Sequence, residues 1–167
     1  MCGLCAGMMG CRCRFGGDFY YPARGLEGDH SILLIAGGVG INPLYSIWLQ
    51  AAHLAKSDTA TTTSPASVSL LYSAATPTEL IFSSNIDQTV EQVKQFNCKY
   101  FVTKEGDQTK KVTGRISKED LEKELNSKTE ARTICYLCGP PKMVDQMKVW
   151  LEELGVVKED IKFELWW

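Results

Sequence analysis

Ile32 to Ala36 (ILLIA) is an apolar run without alternation, and Gly37-Gly38-Val39-Gly40-Ile41-Asn42-Pro43 follows it at once. A strand that is apolar at every position is covered on both faces, the condition of a parallel sheet between helices. Leu44, Ile47, Trp48, Ala51, Ala52 and Ala55 then recur at helical spacing. Asn42 is placed to cap that helix and Pro43 to be its first residue. One strand–glycine turn–helix unit of this kind points the chain towards an α/β architecture.

The remaining pattern repeats the alternation. Ser57 to Ser67 is Ser- and Thr-rich and reads as a surface loop. Val68 to Tyr72 is a second strand. A helical segment starts near Thr78, with Ile86, Val90, Val93 and Phe96 on its later turns. Tyr100 to Thr103 is a short third strand, and Gly106-Asp107 marks a turn. Ser117-x-x-Asp120 resembles a capping box for a helix that buries Leu121 and Leu125. Thr133 to Leu137 is a fourth strand, broken by Cys138-Gly139-Pro140-Pro141. Met143, Val144, Met147, Trp150, Leu151 and Leu154 form an amphipathic helix that Gly155 stops, and this stripe reads as core packing. Ile161 to Leu165 is the last strand. The expected fold is a doubly wound parallel five-stranded sheet over residues 30–167. Residues 1–29 lie outside the alternation. There, Gly16-Gly17-Asp18-Phe19-Tyr20-Tyr21 reads as an isolated strand.

Composition narrows the function classes. The chain has 167 residues, 44% apolar and 23% charged, which fits one globular domain. The net charge of −2 gives no bulk attraction to nucleic acid or an anionic membrane. The longest apolar stretch, Ile32 to Ile41, is too short to span a bilayer. Seven cysteines, an odd number without a secretion signal, indicate thiols in a reducing compartment. Cys2, Cys5, Cys11 and Cys13 cluster at the start, but the Cys-x-Cys half has the wrong spacing for a zinc knuckle. They read as part of a tail, with no metal site. Cys135 and Cys138 lie three apart on a strand and so point to opposite faces, which argues against a shared metal or an internal disulfide.

The first glycine turn carries most of the functional signal. A strand opening into a helix through Gly38-x-Gly40 presents backbone N–H groups and the positive end of a helix dipole. Glycines let a pyrophosphate approach the backbone closely. The dinucleotide fingerprint is incomplete, because Pro43 stands where a third glycine is expected. The second strand ends in Tyr72-Ser73-Ala74 without a ribose-binding acid, so a standard Rossmann dehydrogenase is disfavoured. If the first and fourth strands are central neighbours, the Cys138-Gly139-Pro140-Pro141 turn meets the first turn at the carboxyl edge of the sheet, where ligands bind.

These two motifs together resemble the pyridine-nucleotide motifs of the ferredoxin–NADP reductase superfamily. The residues are Gly37-Gly38-Val39-Gly40-Ile41-Asn42-Pro43 and Tyr136-Leu137-Cys138-Gly139-Pro140-Pro141-x-Met143. Leu70-Leu71-Tyr72-Ser73 and Glu79-Leu80-Ile81-Phe82 match as well, and the resemblance runs from about Gly16 to Trp167. It implies an NAD(H)-binding domain that passes hydride from NADH to a flavin. It also implies that the first turn takes the pyrophosphate and that Cys138 lies beside the nicotinamide. The family's FAD-binding β-barrel and its Arg-x-Tyr-Ser/Thr signature are not found. Residues 16–19 resemble only the barrel's last strand, and FAD is expected only if a flavin domain or partner completes the site. A terminal aromatic, Trp166 or Trp167, would cover the flavin ring. The resemblance suggests a mitochondrial protein, with the cytoplasm as the alternative.

Hydride transfer needs alignment and exclusion of water and no acid–base pair, so His30 and His53 read as a loop residue and a helix-surface residue. No base follows the second strand. Arg115 is the nearest one, and it reads as a solvated residue ahead of a helix cap. NAD(H) is therefore expected over NADP(H). Two rival classes remain: a non-catalytic NAD(H)-binding or interaction module, and a receiver-like domain. The second is disfavoured because no acids cluster after the first or second strand.

Overall fold

A sheet of six parallel strands organises the chain, in the order β4-β3-β2-β1-β5-β6. The computed structural model describes residues 19–22, 25–26, 29–57, 64–104, 111–127 and 132–165. The strands are β1 (Ser31–Gly37), β2 (Ser67–Ala74), β3 (Phe96–Val102), β4 (Lys111–Thr113), β5 (Thr133–Gly139) and β6 (Ile161–Leu165). The helices are α1 (Ile41–Lys56), α2 (Ser83–Gln92), α3 (Lys118–Asn126) and α4 (Pro141–Glu153). All five expected strands are present, and β4 adds a three-residue strand at the edge.

The lack of alternation in β1 has a direct cause. Ile32, Leu34 and Ala36 belong to one core cluster, with residues of α1 and α2. Leu33 and Ile35 belong to the other, with residues of α3 and α4. Helices on both faces leave no solvent side for a polar residue to occupy. β1 pairs with β2 on one side and with β5 on the other, as the central-neighbour arrangement requires. Cys135 and Cys138 fall in opposite clusters, as strand geometry demands.

Several boundaries differ from the sequence reading. Gly40, and not Asn42, is the residue before α1. Asn42 lies within the first turn and donates from Nδ2 to the Val39 carbonyl at 2.9 Å. Near Thr78 there is only a single 3-10 turn, Pro77–Glu79, and α2 begins at Ser83. Between them Phe82 is left-handed (φ 61°) and stacks on Tyr45 with ring centroids 4.3 Å apart. Phe96 opens β3 and does not close α2. Ser117 and Asp120 form the expected reciprocal cap on α3, with Ser117 N–H to Asp120 Oδ2 at 3.0 Å. Gly155 (φ 90°) follows the last turn of α4.

The segment before β1 is part of the same core. Tyr21 is buried, and Phe19 and Leu26 pack against the α1-side cluster. Phe19 meets the Tyr136 ring edge-on at 5.7 Å, and Tyr136 Oη donates to the Tyr20 carbonyl at 3.1 Å. No strand is assigned at residues 19–22. His30 precedes β1, yet it is 1% exposed and shares a 2.8 Å hydrogen bond with Tyr21 Oη. His53 is exposed on α1, as expected. Residues 1–18, the tip of the Ser/Thr loop (58–63), Gly106-Asp107 and Trp166-Trp167 lie outside the described residues, and so do the expectations placed on them.

Candidate functional site

The β1–α1 and β5–α4 turns touch backbone to backbone at the carboxyl edge of the sheet. A methyl group on Gly40 would sit on the Cys138 carbonyl oxygen and 2.7 Å from the Gly139 nitrogen. A methyl group on Gly139 would lie 3.1 Å from the Gly37 Cα. Gly37, Gly40 and Gly139 are thus fixed by close packing between the turns. Gly38 differs: its φ is +54°, and a methyl group there would meet nothing within 4 Å. Its free side faces open space, so Gly38 is where a ligand can come close to the backbone. A single 3-10 turn, Gly38–Gly40, leads into the 16-residue α1; the Ile41 N–H is taken by the Gly38 and Val39 carbonyls, and the positive end of the α1 dipole lies at this turn.

A cavity of about 620 Å³ opens beside this junction on the α3/α4 side of the sheet. Gly37 and Gly38, Ser73 to Ala75, and Pro140 form one part of its wall. Ile116, Met143, Met147 and Trp150 supply an apolar surface, and Arg115, Lys142 and Gln146 add polar groups. No carboxylate is found among its described lining residues. Apolar walls with a few polar groups are the ordinary make-up of a small-molecule site. Glu79 follows β2 closely in sequence but does not line the cavity. It folds back on its own loop, accepting from Thr76 Oγ1 at 3.0 Å and from the Ala75 N–H at 3.3 Å.

The expected site residues divide into three groups. Gly37, Gly38, Ser73, Pro140 and Met143 line the cavity. Val39, Asn42, Pro43 and Pro141 are at least partly exposed on the two turns, and Gly40 and Gly139 hold the turns together. Ile41, Tyr72 and Cys138 are fully buried core side chains. Tyr72 Oη donates to the Glu79 carbonyl at 3.0 Å, and burial pushes its phenol up to about 12. Burial pushes the Cys138 thiol up to about 12, and Glu164, its neighbour across β6, adds to the rise. Cys138 therefore stays a neutral thiol at physiological pH.

Other lining residues were not visible as such in the sequence. Arg115 is exposed but borders the cavity instead of standing apart from it. The α4 stripe does pack the core through Val144, Met147 and Leu151, yet Met143, Met147 and Trp150 also form cavity wall. The usable signal was helical spacing. Lys142, Gln146 and Trp150 recur every four residues from the proline turn.

Residues 34–148 match the family described as the oxidoreductase NAD-binding domain. The chain belongs to that family. A Danio rerio relative, oxidoreductase NAD-binding domain-containing protein 1, is 39% identical over 161 residues, covering 92% of this chain and 58% of the relative. NADH-cytochrome b5 reductase 2 of Scheffersomyces stipitis is 37% identical over 145 residues, covering 78% of this chain and 46% of the relative. The chain thus spans about half the length of these curated relatives. Among solved structures, the CS-b5R domains of human Ncb5or in the NAD+ form match with a TM-score of 0.68. That match has 20% identity and covers 81% of this chain and 36% of the other, so it concerns the fold. The family's parallel sheet with flanking helices is the one built here, and NAD binding is the property the family shares. Among the described residues no group of three metal-ligating side chains occurs, and no helix is long and apolar enough to cross a membrane.

Proposed function

We propose that this chain binds NADH across the paired turns and presents it for hydride transfer to a flavin held by a separate domain or partner. The observation that carries this reading is the contact between the β1–α1 and β5–α4 turns beside an apolar cavity. A dinucleotide fits these residues in parts. Gly38 leaves its backbone open, and the α1 dipole favours a pyrophosphate there. Met143, Met147 and Trp150 offer an apolar surface to a nucleoside base. Ser73, at the end of β2, offers a hydroxyl to a ribose. Once bound, the nicotinamide supplies a hydride and a flavin accepts it.

The protein's own contribution is binding and exclusion of water. Cys138 packs in the α1-side core as a neutral thiol and adds no charge beside the turns. Hydride transfer needs alignment of donor and acceptor and no general acid or base.

The burial of Cys138 supports a second reading, an NAD(H)-binding module without turnover. Mixing the protein with NADH and excess FAD, and following absorbance at 340 nm, separates the two. Protein-dependent oxidation of NADH with reduction of the flavin is the outcome expected of the enzyme half. NADH binding without oxidation would leave the module.

A further inference from the structure

We propose that the outer edge of β6 is an interface between two copies of this chain, which pair through it antiparallel about a two-fold axis at Phe163. β6 ends the sheet on its side, and no strand among the described residues lies against its free edge. The two edges of the sheet differ. β4 is three residues long, and a short edge strand offers little to pair with. β6 keeps unbroken register with β5 from Cys135↔Ile161 to Gly139↔Leu165, and it has neither a bulge nor a proline to blunt it. Such an edge presents a row of unpaired backbone donors and acceptors. Phe163 and Leu165 on this strand are 44% and 45% exposed.

The residues of β6 specify what fits there. Successive side chains point to opposite faces of a strand. Ile161 belongs to the α3/α4-side core cluster, so Phe163 and Leu165 share that face and Lys162 and Glu164 lie on the other. Lys148 Nζ, from α4, sits 3.9 Å from the centroid of the Phe163 ring. In an antiparallel pair centred on Phe163, Lys162 of one copy stands opposite Glu164 of the other, and the two-fold axis repeats the pair. On the α3/α4 face, Ile161 of one copy meets Leu165 of the other and the two Phe163 side chains meet at the axis. Opposite charges and apolar side chains directly across from each other are the stabilising cross-strand combinations. The register is specific. A shift of two residues sets Lys162 against Lys162, or Glu164 against Glu164, and like charges there repel. Neither Lys162 nor Glu164 is in an ion pair among the described residues, so both charges are available to a second copy.

Sedimentation velocity of the full chain over a concentration series tests this. The wild type is expected to show a reversible monomer–dimer equilibrium that weakens with added salt. Lys162→Glu and Glu164→Lys each place like charges opposite one another at two points, and each is expected to raise the dimer Kd at least ten-fold. An equimolar mixture of these two variants restores both opposite-charge pairs and should dimerise within five-fold of the wild type. The double variant Lys162→Glu/Glu164→Lys keeps the complementarity and should do the same. Amide hydrogen exchange of residues 161–165 in the wild type gives a reading that does not depend on any variant folding, and it should slow at the higher concentration. A wild type that stays monomeric throughout, or exchange in β6 that is independent of concentration, would overturn the proposal. A dimer indifferent to both charge reversals, or a mixture as weak as the separate variants, would overturn it as well.

Discussion

Gly38 and Gly40 stand two residues apart in one motif and meet opposite surroundings. Gly38 is left-handed and open on its free side, whereas Gly40 lies against the Cys138 carbonyl. Gly40→Ala forces a methyl group into backbone that has no flexible end to move. It should destabilise the domain by about 1–3 kcal/mol, the usual range for overpacking. An unchanged urea midpoint would contradict that packing. The motif itself could be read from the sequence because strand, glycines and helix are contiguous. The division of labour between its glycines could not, because the Cys138 carbonyl that decides it comes from nearly a hundred residues away. The same holds for His30. Nothing local reveals that Tyr21 folds over it and removes it from water.

At the scale of elements, apolar periodicity located α1, α4 and the buried strands, since each one has a face that must leave water. The weaker elements are held by polar contacts that periodicity does not report. α3 is pinned to β3 by Lys99 Nζ and Glu124 Oε1 at 2.7 Å, with the Glu124 side chain 5% exposed and Lys99 36% exposed. Lys99→Met leaves a buried carboxylate without its cation. Because water still reaches the lysine, the loss expected is about 1–3 kcal/mol, below that of a fully buried pair. Adding Glu124→Leu should recover most of it. Denaturant midpoints of the single and double variants check this, and additive losses would refute the coupling. β4 was not legible for a related reason. Its residues Lys111-Val112-Thr113 form an edge strand too short to carry a pattern. The helix start expected near Thr78 falls on a separate 3-10 turn, Pro77–Glu79, ahead of α2.

For the whole molecule, strand order decides everything functional. β1 and β5 are neighbours, so motifs separated by most of the chain meet at one edge, and parallel βαβ crossovers make that edge the ligand-binding one. This much followed from sequence, since buried strands and right-handed connections leave few topologies. The cavity did not follow, because its wall is assembled from β1, β2, the approach to α3 and the face of α4. The chain spans about half the length of the curated relatives it matches. Nucleotide binding at the paired turns can be tested on this chain. Aspartate and asparagine share a shape and both tolerate the left-handed backbone of Gly38, so Gly38→Asp and Gly38→Asn differ at that point by one negative charge. Calorimetric titration with NADH should give one site per chain, with Kd within the ~1 µM–1 mM span common for enzyme substrates. Gly38→Asn should retain binding and Gly38→Asp should weaken it at least ten-fold. Equal affinities for the two variants, or no NADH binding by the wild type, would contradict a pyrophosphate at this turn.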